Sequence, residues 1–249
     1  MEATLARNGT VTDAEAKAIA NYINVATGRG HALLGEQAAP GLATIFFAPR
    51  YTMSRFQLLA GQPLLGGSVR TRGLIAKEYA KYLTGVGVAL GLGALAGGEI
   101  ETDPRSSDFG KIKFGNRRIN LLSGLSQATT LVSRAATGQT KTASGEIRDL
   151  VGDKVKFGQG NLQDTLARFA RTKLSPAFGT ALDLRLGKNV VGEKVTPGSA
   201  LAQLAVPLSL RDIYDSMKDN DVPEGMAMAA LSLFGANIQN YDAAKKHSH

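Results

Sequence analysis

The sequence predicts a mainly α protein, a helical bundle of about seven to nine helices with one small β-hairpin near 111–120. Apolar residues recur at helical spacing through most of the 249 residues, capping residues and prolines punctuate them, and one stretch alternates about a two-residue turn. Length admits one large domain or two small ones. We divide the chain into an N-terminal helical part, 1–98, which ends in a glycine-rich apolar helix, and a part with the hairpin and further helices, 99–249. The two are expected to pack as one unit.

Thr12 stands three before Glu15 as a capping box, and Ala16, Ile19, Ala20, Ile23 and Ala26 follow at helical spacing until Gly28. Pro40 opens a second helix carrying Leu42, Ile45, Phe46 and Phe47, which Pro49 interrupts. In residues 50–60 basic and aromatic side chains interleave, Arg50 and Arg55 with Tyr51 and Phe56, before Gly61, Pro63, Gly66 and Gly67 break the chain.

A long helix is expected over 68–97, and its halves differ. Arg70, Arg72, Lys77, Glu78 and Lys81 make the first half amphipathic, whereas 82–98 carries no charge and many glycines. Each interior glycine costs an aqueous helix about 1 kcal/mol relative to alanine, so this run calls for shielding. Its own bundle, other chains or lipid would supply it. At 17 residues it sits at the short limit for a bilayer span. Gly87 with Gly91 and Gly93 with Gly97 give the small-xxx-small spacing of close helix pairs. A membrane or oligomer interface is therefore expected at Gly85, Gly87, Leu90, Gly91, Gly93, Leu95 and Gly97.

The hairpin signal is Lys111-Ile112-Lys113-Phe114, then Gly115-Asn116, then Arg117-Arg118-Ile119-Asn120. A helix fits 123–137, ended by Gly138; 139–160 is a long exposed loop or a second strand pair. Asn161 caps a helix to about Lys173, with Leu162, Leu166 and Phe169 inward and Arg168, Arg171 and Lys173 outward. Pro176 restarts the chain in a short helix to Gly187, and Pro197, Pro207 and Pro223 punctuate further short helices.

Lysine and arginine outnumber acids by 29 to 21, a net charge of +8 that favours polyanionic partners. Nucleic-acid or anion contacts are assigned to Arg50, Arg55, Arg70, Arg72, Arg117, Arg118, Arg168 and Arg171. Without cysteine the chain forms no disulfide and no thiolate zinc site. Residues 1–7 lack a basic stretch followed by an apolar core, so no secretory signal is expected.

Catalytic signals are sparse. His31 is the sole non-terminal histidine and sits among turn glycines. A phosphate-binding G-x-x-x-x-G-K-[ST] loop is absent, and Asp108-Phe109-Gly110 matches a kinase tripeptide without the other kinase motifs. Glu99, Glu101, Asp103 and Asp108 offer oxygen ligands, but their spacing fits no known calcium loop. The reading is no catalytic residues, no cofactor and no metal.

The run Asp103-Pro104-Arg105-Ser106-Ser107-Asp108-Phe109-Gly110-Lys111-Ile112, with Gly115-Asn116-Arg117-Arg118-Ile119, resembles the C-terminal associated domain of large polyvalent phage proteins. So do Gly124-Leu125-Ser126-Gln127, the stretch from Leu166 to Pro176, and Gly187-Lys188-Asn189-Val190-Val191-Gly192-Glu193. The resemblance runs from about Asn24 onward. It implies a non-enzymatic internal virion or ejection protein, placed inside the capsid or at the portal or tail and delivered into the host envelope or cytoplasm. Its implied partners are further copies of itself or other virion proteins, DNA and the host membrane. A soluble structural or oligomerisation module of a phage particle is the alternative, and a metal-dependent hydrolase a third.

Overall fold

The computed structural model describes residues 9–32, 35–152, 155, 159–189 and 194–198, and the backbone of 237–240. The chain is mainly α. Its helices are α1 (Asp13–Ala26), α2 (Ala39–Ile45), α3 (Pro49–Leu59), α4 (Val69–Leu95), α5 (Gly124–Thr137), α6 (Leu162–Arg171) and α7 (Pro176–Leu186), with a 3-10 turn at Gln62–Leu65. Residues 199–236, which hold Pro207 and Pro223 and the last expected helices, lie outside the described residues, as do 190–193 of the Gly187 loop.

The strand content exceeds expectation. The hairpin β2 (Lys111–Phe114) and β3 (Arg117–Asn120) is the centre of a four-stranded antiparallel sheet, flanked by β1 (Glu99–Ile100) and by β6 (Asn237–Asn240). Two isolated strands are marginal in water, and added edges supply the missing ladder bonds. A second hairpin, β4 (Gln139–Lys141) with β5 (Ile147–Asp149), occupies the start of 139–160.

Local chemistry explains the helix starts. Thr12 caps α1 in a full capping box, in which its hydroxyl accepts from Glu15 N–H while the Glu15 carboxylate accepts from Thr12 N–H. Asn161 and Asp164 repeat this at α6, and Ser68 caps α4. Pro49 begins α3 rather than merely ending α2. Phe46 and Phe47 leave the helix, and the Phe47 N–H donates to Lys173 O at 2.7 Å while Ser175 N–H donates to Ile45 O at 2.8 Å. That crossing ties the N-terminal helices to the α6–α7 corner. Its cost is a left-handed Ala48, φ 46°.

The core is thin. Ile19, Val25 and Ile75 are fully buried where α1 meets α4 and the 3-10 turn, and Ile112, Ala128 and Leu150 are buried in the second half. α3 packs on both α1 and α5 and so joins the two. Asn120 fixes the turn into α5: its side-chain oxygen accepts from Leu122 and Ser123 N–H, and its Nδ2 donates to Ser126 Oγ at 3.1 Å.

The uncharged half of α4 departs from both readings that shield it within this chain or in a bilayer. It is regular helix, yet Leu83, Val88, Leu92 and Leu95 are exposed, Leu95 by 86%. It is no buried central helix. Nor is it a membrane span: the helix ends at Leu95, so its uncharged turns measure about 21 Å against a hydrocarbon core of about 30 Å. Among the described residues no helix is long and apolar enough to cross a membrane. Gly93 is also not free for assembly, because Ile112 of β2 packs on it; Leu90 is half-buried, while Gly85, Gly87, Gly91, Gly97 and Leu95 are exposed.

Candidate nucleic-acid interface

The polar side of α5 faces an open groove of about 1210 Å³, walled by α6, the β4–β5 hairpin and the loop 106–111. Gln127, Thr130 and Arg134 stand on one stripe of α5, three and four residues apart, and all line it. Thr130 and Arg134 also stitch the helix to the loop: Thr130 Oγ1 donates to Ser106 O at 3.2 Å and Arg134 Nε to Arg105 O at 2.8 Å. The loop is itself rigid, because Arg105 spans Asp103 and Gln139.

Among the described residues six cations and three acids line the groove. All three acids are engaged. Asp108 meets Lys111, Lys113 and Arg118; Asp149 accepts from Gln139, and Asp164 closes the α6 capping box. Burial pushes the Asp108 carboxyl up, but the Lys111, Arg118 and Lys113 charges outweigh it and hold it below the usual range. Of the cations, Lys111 pairs with Asp108, Lys141 with Glu101 and Arg148 with Glu146.

The other three, Arg134, Arg168 and Lys173, meet no carboxylate among the described residues. Arg134 donates to the Arg105 carbonyl and, at 2.8 Å, to Ser107 Oγ. Lys173 donates to Gln127 Oε1 at 2.7 Å and lies 5.2 Å from the Phe169 ring centre. Burial lowers the pKa of both groups, the sign of a cation held partly out of water without a counter-charge. Arg168 is exposed on the same wall.

Tyr51 and Phe169 also line the groove. Behind Tyr51 the Arg55 guanidinium stacks at 4.4 Å from the ring centre, and its buried Nε has no hydrogen-bond partner among the described residues. Phe169 and Phe56 meet in a T-shaped pair, centroids 6.1 Å apart.

Of the arginines expected at an anion site, only Arg55 and Arg168 reach this region without an acidic partner. Arg50 pairs with Glu36, Arg70 with Glu15 at 3.2 Å, Arg118 with Asp108, and Arg171 with Asp183 at 2.5 Å and with the Lys188 carbonyl. Arg72 donates to the Gly67 carbonyl, and Arg117 lies on β3, opposite Asn240 of β6. Arg171 therefore turns inward rather than outward. Arg134 and Lys173 were missing from the expected set, although the polar stripe Gln127, Thr130, Arg134 in a capped helix was a readable signal.

Of the acids considered for a metal, Glu101 is taken up by Lys141, Asp103 by Arg105 and Asp108 by Lys111. Among the described residues no three His, Asp or Glu side chains gather closely enough to hold an ion. His31 is an exposed loop residue, its Nε2 2.8 Å from Asn21 Oδ1 and its N–H donating to Gln57 Oε1. Comparison with protein-family models, curated proteins and solved structures finds no match to this chain.

Proposed function

We propose that this chain is a non-enzymatic phage internal virion or ejection protein that contacts DNA through the α5–α6 groove during genome delivery. One observation carries the DNA contact: among the described residues three groove cations, Arg134, Arg168 and Lys173, meet no carboxylate, while the groove acids Asp108, Asp149 and Asp164 are already engaged. A phosphate that reaches these cations has no ion pair to break, and the counterions released from the polymer drive the association. The phage setting rests on the resemblance of residues 103–119, 124–127, 166–176 and 187–193 to the polyvalent phage proteins.

The test is titration of labelled DNA at several salt concentrations. Affinity should fall steeply with salt, and Arg168→Gln should weaken binding and reduce the log–log salt slope by about 1. Binding that ignores salt, or that survives Arg168→Gln together with Arg134→Gln unchanged, removes the groove from the function.

A second reading, assembly of copies through α4, has its own observation. The exposed residues Val88, Leu92 and Leu95 make one apolar stripe, and beyond the helix's own backbone nothing would lie within 4 Å of a Cβ at Gly85, Gly87 or Gly91. The occupant that fits is the same stripe on a second copy, since small residues let two such helices approach closely. Assembly and DNA contact use different faces, so one protein can do both.

A further inference from the structure

Resting on the DNA-contacting reading, we propose that the groove takes single-stranded nucleic acid, with a base against Tyr51 and Phe169 and phosphates along Lys173, Arg168 and Arg134. Three features favour a single strand over a duplex. The cations line the walls of a concavity, whereas a duplex carries its charges on a convex surface. The aromatic pair lies beside Lys173, which places a stacking surface next to a phosphate contact, the pairing that single-strand sites use. The volume of about 1210 Å³ exceeds the roughly 300–1,000 Å³ of small-molecule pockets and suits a stretch of polymer.

Length agrees. From Gly124 to Arg134 the groove wall follows α5 for about 15 Å, room for on the order of four stacked nucleotides at about 3.4 Å each. That is the lower end of known single-strand site sizes. Arg55 is a positioning residue here. Stacked behind Tyr51, it holds that ring at the groove wall and adds positive charge without facing the strand.

The experiment is fluorescence anisotropy of the full chain with a labelled 12-nucleotide oligothymidine and with a duplex of equal length, in the same low-salt buffer. The single strand should bind at least tenfold tighter. Phe169→Leu, which keeps an apolar side chain against Phe56 but removes the ring, should weaken single-strand binding about fivefold or more and leave duplex binding unchanged. Circular dichroism melts of the variant establish that it folds, and Arg168→Gln, at an exposed position, gives an independent variant that should lower single-strand affinity. Equal or tighter duplex binding, or a Phe169→Leu protein that folds and binds the strand like wild type, overturns the single-strand assignment and leaves DNA contact standing. Failure to bind either form overturns both.

Discussion

Ile112 of β2 rests directly on the backbone of α4 at Gly93, so close that a Cβ there would stand 2.5 Å from the Ile112 Cδ1. Gly93→Ala should therefore destabilise the fold by about 1–3 kcal/mol through overpacking. Gly93→Ala with Ile112→Val should recover part of the loss, because the smaller side chain gives the methyl room. Gly73, in the charged first half of the same helix, faces open space, and Gly73→Ala should stabilise by about 0.5–1 kcal/mol. Urea unfolding of the three proteins checks the opposite signs; a neutral Gly93→Ala would mean the sheet does not sit on α4.

Glu15 joins α1 to the start of α4. The Ser68 hydroxyl donates to its Oε1 at 2.6 Å and Thr12 N–H to its Oε2 at 3.1 Å; with Arg70 these outweigh burial and lower its pKa from 4.5 to about 2. The unfolded chain takes up this proton near pH 4.5, whereas the folded chain resists until about pH 2. The stability it contributes is thus complete above pH 4.5 and is lost as pH falls from there toward 2. Glu15→Gln should melt below wild type at pH 6, and the gap should close through that window. Melting curves that stay a constant distance apart from pH 6 to pH 2 would refute the link.

Much of this could be read from residues whose effect is local. Thr12, Ser68 and Asn161 start helices because a side-chain oxygen satisfies a nearby N–H, and Gly115-Asn116 turns the hairpin by backbone preference alone. What the sequence withheld depends on distant partners. β1 and β6 are short and carry little alternation, and they become strands because β2 and β3 offer edges to pair with. The groove was hidden for the same reason. Asp183 lies 12 residues from Arg171 and Glu101 lies 40 from Lys141, so which cations are neutralised is a property of the fold. Composition counts charges, and pairing decides which remain available.

The exposed end of α4 makes the last case. A monomeric helix gains nothing from leaving Leu92 61% and Leu95 86% exposed beside glycines that weaken it, since apolar burial stabilises by about 25 cal/mol per Å² and each glycine costs about 1 kcal/mol. Pairing of two such stripes reverses both terms: the leucines leave water, and Gly85 and Gly91, which flank the stripe, become the places where backbones approach. Because the charged first half of α4 carries Arg70, Arg72, Lys77, Glu78 and Lys81, the contact should be confined to the turns after Tyr82. Sedimentation in detergent-free buffer should show a concentration-dependent dimer or larger species, and Leu92→Glu should shift it to monomer without lowering helix content, because the residue touches solvent in the single chain. A monodisperse monomer over a hundredfold concentration range would instead mean that this stripe takes no second copy. DNA binding should survive Leu92→Glu in either event, because α5 and α6, not α4, carry the groove.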